Sequence, residues 1–363
     1  MKDNNQHRFP YKWNLKDSVF SKDKGKVFSC FACGGGSTMG YKLAGFDVLG
    51  CNEIDPKMIG AYKVNHNPKY FFLEPIQTFK LRDDLPDELY NLDILDGSPP
   101  CSSFSMAGNR EDDWGREKKF REGQADQVLD TLFFDFIDLA KKLQPKIVVA
   151  ENVKGLLLGS AIEYVKKIYK EFDKAGYYCQ HWLLDASKMG VPQKRERVFF
   201  ICLRKDLAKP FLQQVDFFTQ MPKLKLEFNE KSIRFKDFYI KNLENDRMLT
   251  GQEALRLWHL RLPEDMDMSN AAQREGVMKF WNNKYLKLEN VPLTFTSNED
   301  ACVLFDEPRK PNKYEVCCIG TFPQDYDFNG NKYAYIVGMS VPPIMTAQIA
   351  TEIYNQWIIK INN

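Results

Sequence analysis

Short apolar runs alternate with longer helical stretches from residue 26 to about residue 204, and this alternation restricts the chain to a small set of folds. The runs are Val27-Phe28-Ser29-Cys30-Phe31, Val48-Leu49-Gly50-Cys51, Asp93-Ile94-Leu95, Ile147-Val148-Val149-Ala150 and Val198-Phe199-Phe200-Ile201. Between them lie stretches of helical pattern, among them 127–143, stopped by Pro145, and 161–175, stopped by Gly176. Strands that recur with a helix between them read as a parallel sheet with both faces covered. The expected fold is therefore α/β. Beyond residue 204 the alternation stops, and charge interleaved with aromatics such as Trp258, Phe280, Trp281 and Tyr285 reads as a smaller second domain. Tyr333-Ala334-Tyr335-Ile336-Val337, followed by an amphipathic stretch over 343–359, restores the first pattern, so the end of the chain is expected to pack back onto the α/β core.

A length of 363 residues suits a core domain plus a smaller one, and 44% hydrophobic with 28% charged residues is ordinary globular composition. Residues 1–26 carry no apolar signal core, and no later run approaches the length of a membrane helix, so a cytoplasmic protein without a membrane partner is expected. Nine cysteines, an odd number, argue for reduced thiols rather than a disulfide framework. A net charge of only +2 means that any surface for nucleic acid must be local. No internal repeat or low-complexity tract is present.

The first run leads into Ala32-Cys33-Gly34-Gly35-Gly36-Ser37-Thr38-Met39-Gly40, where glycines allow a tight turn and bring a ligand close to a helix N-terminus. The spacing is not G-x-G-x-x-G, which counts against a nicotinamide oxidoreductase. Glu53, 17 residues beyond Gly36, stands where an acidic side chain can accept hydrogen bonds from a ribose diol. Nucleoside binding is favoured, with the ligand open; the plainer alternatives are a turn that only packs helix on strand and a solvated strand end.

Asp93-Ile94-Leu95-Asp96 stops at Gly97-Ser98-Pro99-Pro100, which places Cys101 at the carboxyl edge of the sheet, where α/β enzymes carry their chemistry. Paired prolines stiffen the backbone before the thiol, and residues 102–121 read as a loop able to close over a substrate. A thiol with an ordinary pKa of roughly 8.5 needs a helix N-terminus or a cation to act as a nucleophile at neutral pH. Glu151, after Ile147-Val148-Val149-Ala150, brings a carboxyl to the same edge, and Arg195 with Arg197 offers two cations at i, i+2, which on a strand face one side. Alone, each feature is more simply a core cysteine, a helix cap or a solvated strand face. Their occurrence at successive strand ends favours a site.

With these residues in place, the sequence resembles the cytosine-C5 methyltransferase family, in order, from Val27 to Ile359. The similar segments are 31–46, Glu53 with Asp55, 97–108 around Pro-Pro-Cys, Glu151-Asn152-Val153, 193–197 (Gln-x-Arg-x-Arg) and 338–343. The resemblance implies a Rossmann-like core that takes S-adenosylmethionine as methyl donor and needs no metal. It implies Cys101 as the nucleophile toward cytosine C6, Glu151 as the acid at N3 and the exocyclic amine, Arg197 at O2, and Arg195 as support for Cys101 and Glu151. Phe31 would pack on adenine and Glu53 would hold the ribose, with Gly35, Gly36, Ile54, Ile76, Pro99, Leu132 and Ser340 also at the donor. Double-stranded DNA is the implied partner, its cytosine flipped into the pocket, with Arg110, Arg116, Lys118 and Lys119 available to close on phosphates. A companion restriction endonuclease and a monomeric enzyme are further expectations. Five positions depart from the usual pattern: Ser29 for an aspartate, Cys33 for a glycine, Ile54 for an aromatic, Pro75 for an aspartate and Met339 for an asparagine.

Two segments compete for the motif that closes the variable domain. One is Arg247-Met248-Leu249-Thr250 with Glu253 and Arg256-Leu257; the other runs over 309–328 through Thr321-Phe322-Pro323-Gln324-Asp325-Tyr326. The second has the better distance to Gly338. The expected division is an extension over 1–25, a catalytic core over 26–204, a mixed target-recognition domain over 205–318 and a returning segment over 319–363. Pro292-Leu293-Thr294-Phe295-Thr296 reads as structural, and the lysines of 223–241 lie in mixed charge, so no base-reading residue stands out. A zinc deaminase needs H-x-E with P-C-x-x-C, which the chain lacks, and Cys30-Phe31-Ala32-Cys33 has no second ligand pair. A non-catalytic DNA-binding relative would have lost the nucleophile or its acid, and both are present. A tRNA-directed relative would share the chemistry, but the long variable segment favours DNA.

Overall fold

The structure is a computed structural model that describes residues 7–100, 131–159, 161–216, 219–241, 247–277, 283–298 and 301–362, together with the backbone of 117–118 and 127–128. Cys101, Arg110, Arg116, Lys119, Phe280, Trp281 and the side chain of Lys118 lie outside the described residues.

Seven strands form the main sheet: β1 (Lys26–Cys30), β2 (Asp47–Glu53), β3 (Tyr70–Leu73), β4 (Ile94–Gly97), β5 (Ile147–Val153), β6 (Tyr177–Asp185) and β7 (Glu196–Arg204). Their order is β3-β2-β1-β4-β5-β7-β6. β7 runs antiparallel to both neighbours and the remaining ladders are parallel. Strand order reverses between β1 and β4, which opens a crevice at their carboxyl ends, the place where such sheets bind ligands. The five apolar runs read from the sequence are β1, β2, β4, β5 and β7, the five interior strands. β3 and β6 are the edges and do not form apolar runs of the same kind: Tyr-Phe-Phe-Leu alternates half-buried with exposed residues, and Tyr-Tyr-Cys-Gln-His alternates buried or exposed with half-buried ones.

Two local expectations are corrected. The helical pattern over 127–143 begins as a helix only at α3 (Leu132–Leu143), because Gln127–Val128 pairs antiparallel with Glu117–Lys118. The apolar run 333–337 is helix α8 (Tyr333–Met339), since a five-residue run cannot be assigned by periodicity and tertiary packing decides it. Its buried Ala334, Ile336 and Val337 belong to one cluster with α7 (Lys313–Gly320), and Gly320 leaves room for Val337, whose Cγ1 would lie 2.2 Å from an added Cβ.

Helix α1 (Gly36–Leu43) packs against α9 (Pro343–Ile353), which carries the end of the chain back to the core. The approach needs small residues: a Cβ at Gly36 would lie 2.2 Å from the Val341 carbonyl oxygen and one at Gly40 2.3 Å from that of Pro343. The glycine turn therefore has a packing reason fixed some 300 residues away. In the stretch read as a second domain, Leu212, Leu224 and Leu226 pack on the main sheet with Val149, Ile201 and Trp357. A separate small core follows, in which Leu257, Trp258, Met268, Ala271, Tyr285 and Val303 cluster between helices α5 (Gln252–His259) and α6 (Met268–Arg274) and a parallel pair, Lys284–Leu286 with Cys302–Leu304. The two candidate closing segments turn out to be neighbours: Met248 bridges Arg309, and Lys310 N donates to the Arg247 carbonyl at 3.0 Å. No helix among the described residues is long and apolar enough to cross a membrane.

Candidate active site

At the end of β1 the chain takes left-handed conformations at Phe31 (φ 53°), Cys33 (φ 48°) and Gly35 (φ 78°), and so coils directly into α1. The neighbouring strand, β2, ends at Glu53, whose carboxylate is gripped by backbone. Cys33 N donates to Oε2 at 2.7 Å, while Ile54 N and Asp55 N donate to Oε1 at 2.9 and 3.0 Å. Burial raises the Glu53 pKa, and these N–H groups oppose the rise. Asp55 caps helix α2 (Pro56–His66) by accepting from Lys57 N at 2.8 Å, which fixes the turn beside Glu53. Between these segments lies a cavity of about 760 Å³ including its mouth, lined by Phe31, Cys33, Asn52, Glu53, Ile54, Asp55, Met58, Pro75, Ile76, Ser98, Pro100, Tyr335 and Met339. Aromatic rings and apolar walls around the Glu53 carboxylate, with Asp55 beside it, suit a flat heterocycle joined to a polyol.

Of the residues expected at the donor, Phe31, Glu53, Ile54 and Ile76 line this cavity. Gly35, Gly36, Pro99, Leu132 and Ser340 are not among its lining residues. Gly35 faces His66 and Gly36 faces Val341. Leu132 is fully buried in the core at the start of α3, and Ser340 donates to the Ile336 carbonyl at 2.8 Å. Cys33, Ile54, Pro75 and Met339, four of the five departures, are on the wall, whereas Ser29 is buried and does not line it.

His66 behind Gly35 is buried, and its Nδ1 has no partner among the described residues. Burial, with the Lys42 charge second, pushes its pKa down to about 3. Unfolded histidine titrates near 6.5, so on acidification the unfolded chain gains a proton that folded His66 refuses. The stability it contributes is full above pH ~6.5 and drains as pH falls toward 3. Wild type should therefore lose more stability than His66→Gln between pH 6.5 and 4, by roughly 2 to 3 kcal/mol, in urea unfolding at each pH.

The second half of the site lies across the crevice. Glu151 near the end of β5 is paired with Arg197 on β7, Nε to Oε1 at 2.9 Å, with both side chains largely shielded (13% and 16% exposed). Asn152, buried beside it, donates from Nδ2 to the Pro99 carbonyl at 3.1 Å, and its Oδ1 accepts from Val153 N at 2.9 Å. The Glu-Asn pair thus presents a carboxyl and tethers the Pro-Pro turn that leads to Cys101. The tether escaped sequence reasoning because its acceptor is a main-chain oxygen 53 residues away.

Arg195 and Arg197 take different partners: Arg195 immediately precedes β7, which begins at Glu196, and Arg197 lies within it. Arg195 is buried and donates to three carbonyls: Nη1 to Phe295 at 2.9 Å, and Nη2 to Gly338 at 3.1 Å and Ser340 at 3.3 Å. Gln193 acts beside it, donating to the Ile319 carbonyl at 2.9 Å and accepting from Phe295 N at 3.0 Å, while Lys194 N donates to the Pro292 carbonyl at 2.8 Å. The Gln-Lys-Arg run therefore staples segment 292–295 and the returning helices to the strand that bears Arg197. Burial, then repulsion from Arg197, lowers the Arg195 pKa well below the usual guanidinium range, and Glu151 opposes the fall. Arg195→Met would strand buried carbonyls and should cost about 3 kcal/mol, read as a lowered urea midpoint.

The cations of 223–241 are partly spent within the protein: Lys225 pairs with Glu227 at 2.9 Å, and Arg234 and Lys236 both pair with Glu289, at 3.0 and 2.6 Å.

The sequence profile described as C-5 cytosine-specific DNA methylase matches residues 25–355. The chain is similar to the type II methyltransferase M.FnuDI of Fusobacterium nucleatum, with 38% identity over 182 residues, 50% of this chain and 48% of that protein. The chain thus spans about half the length of that relative. Similarity to the type II methyltransferase M1.HphI of Haemophilus parahaemolyticus is lower, 27% over 332 residues, but covers 88% of this chain and 84% of that one. A crystal structure of a DNMT2 variant from Spodoptera frugiperda shares the fold, with a TM-score of 0.62 over 91% of this chain and 99% of the other at 17% identity.

Proposed function

The chain belongs to the C-5 cytosine-specific DNA methylase family, and from that premise we propose that it transfers a methyl group from S-adenosylmethionine to C5 of a cytosine in a specific duplex DNA sequence. The observation that carries this reading is the pairing of Glu151 with Arg197 beside Asn152, which ties down the turn before Cys101, across the crevice from the Glu53 cavity.

The cavity fits the donor: Phe31, Ile54 and Ile76 offer apolar contact to adenine, and Glu53 Oε2, which accepts one N–H bond, retains capacity for a ribose hydroxyl. The bound donor supplies a methyl group on a sulfonium, a strong electrophile. Chemistry on the base side falls to the protein. The Cys101 thiolate adds to C6, and the electron pair displaced toward N3 is met by a proton from Glu151, which also accepts from the 4-amino group. Arg197, already beside Glu151, donates to O2. C5, now enamine-like, takes the methyl group as the sulfonium leaves as a neutral thioether. Loss of the C5 proton to solvent, elimination of the Cys101 thiolate and return of the N3 proton to Glu151 restore the aromatic ring, the nucleophile and the acid. None of these atoms is reachable in a stacked duplex, so the cytosine is flipped out at a cost of a few kcal/mol. Arg195 supports the reaction through the staple that fixes the strand of Arg197.

The type II designation of the similar proteins supports a place in a restriction-modification system, opposite an endonuclease of the same specificity. The enzyme is read as a cytoplasmic monomer. The test is incubation with tritiated donor and duplex DNA of varied sequence, with tRNA in parallel. Label in DNA cytosine, abolished by Cys101→Ala, is expected; label confined to tRNA, or none, contradicts the proposal.

A further inference from the structure

Asp96, at the exit of β4 and five residues before Cys101, is used by neither the proposed chemistry nor the donor contacts. It is 3% exposed, yet it carries a carboxylate. Its Oδ2 accepts from the hydroxyls of Ser29 and Ser37 at 2.7 Å each, and its Oδ1 accepts from the Tyr41 hydroxyl at 3.1 Å. None of these partners is a cation. Burial raises its pKa to about 6, against the lowering effect of the three hydroxyls. A buried charge of this kind costs several kcal/mol and is weak support for stability alone.

The three donors come from two elements. Ser29 is the register partner of Asp96 in the β1/β4 ladder, while Ser37 and Tyr41 lie one turn apart on the inner face of α1. α1 begins at the glycine turn beside the donor cavity and has no side-chain cap of its own. β4 leads into Gly97-Ser98-Pro99-Pro100-Cys101. One carboxylate therefore joins the helix that borders the donor to the strand that delivers the nucleophile.

We propose that Asp96 is a positioning residue that sets α1 against the exit of β4, so that the methyl carbon and the activated C5 meet in line. This deepens the methyl-transfer reading and rests on it. Reacting atoms must align within a fraction of an ångström, and a misplacement of about 1 Å costs on the order of 100-fold in rate. Ser29 Oγ already lies 3.4 Å from Ser37 Oγ, so a carboxylate grown from position 29 reaches the same hydroxyl on α1. Exchanging the two residues should preserve the link.

The test compares wild type, Asp96→Ser and the exchanged double variant Ser29→Asp/Asp96→Ser on one labelled duplex, reading kcat, donor KM and the thermal transition. Asp96→Ser should lose at least ~30-fold in kcat with donor KM within ~3-fold, because Phe31 and Glu53 are untouched, and the exchange should recover kcat to within ~5-fold. If Asp96→Ser does not fold, Ser37→Ala/Tyr41→Phe, which cuts the link and keeps the carboxylate, is held to the same limits. A kcat within ~3-fold of wild type in the cut variant overturns the proposal, as does an exchange that stays as slow as Asp96→Ser or fails to fold. An inactive wild type would instead remove the methyl-transfer reading itself, so the two failures are distinct.

Discussion

Replacing Glu151 with glutamine is expected to slow methyl transfer by about 10²- to 10⁴-fold, the range set by loss of a positioned general acid. Glutamine has the same shape, and its carbonyl oxygen can still accept from Arg197 and from the 4-amino group of cytosine. What it cannot do is supply a proton to N3 as the thiolate adds at C6. The loss should therefore fall on the chemical step. Single-turnover transfer at saturating DNA and donor should show it, with donor affinity within ~2-fold of wild type because Glu53 and Phe31 lie across the crevice. A rate within tenfold of wild type would remove Glu151 from the acid role.

The largest expected effect on stability lies elsewhere. Arg309 is 1% exposed and faces Glu315, which is fully buried, through Nη1 to Oε2 and Nη2 to Oε1, both 2.8 Å. It also pairs with Glu307 and donates to the Ile240 carbonyl at 3.2 Å. Glu315 in turn accepts from Asn312 N at 3.0 Å in the capping box that starts α7. Arg309→Met leaves that carboxylate buried without its counter-ion, which should cost about 3 to 5 kcal/mol, a large part of a typical folding free energy of about 5 to 15 kcal/mol. Arg309→Met/Glu315→Leu should regain much of the loss, because removing both charges also removes the desolvation penalty. Urea unfolding of the three proteins measures both effects; a double variant no better than the single one would show that the cost came from packing.

The contrast between Glu151 and Arg309 reflects what a linear sequence can convey. Glu151, Glu53 and Phe31 were legible because each stands at the end of an apolar run, and the carboxyl ends of interior strands are where a sheet of this kind exposes side chains. The interior strands were legible for the same reason: Val148, Val149, Phe199 and Phe200 are covered on both faces. Edge strands β3 and β6 were not, since a half-exposed strand need not be an apolar run. The run 333–337 was ambiguous between strand and helix, and contacts with α7 decided it.

Relations that depend on distant main-chain atoms were out of reach. Nothing local in Gln193-Lys194-Arg195 says that its side chains bind carbonyls at Ile319, Phe295 and Gly338. Nothing local in Gly36 or Gly40 says that α9 presses against them. The hydroxyls of Ser29, Ser37 and Tyr41 converge on Asp96 only after α1 has packed beneath the sheet's crossover point. Ser29, which departs from the family's usual aspartate, is in the fold a buried hydroxyl bonded to a carboxylate on the next strand.

The proposed methyl transfer turns on a covalent bond from Cys101 to the target base. A duplex containing 5-fluorocytosine at a position shown to accept label tests it most directly, because fluorine cannot leave C5 as a proton does and elimination of the cysteine is blocked. With donor present, a stable one-to-one protein–DNA adduct is expected, with the linked nucleotide mapped by mass spectrometry to the peptide containing Cys101. Undiminished turnover without any adduct, or attachment at another residue, would contradict it.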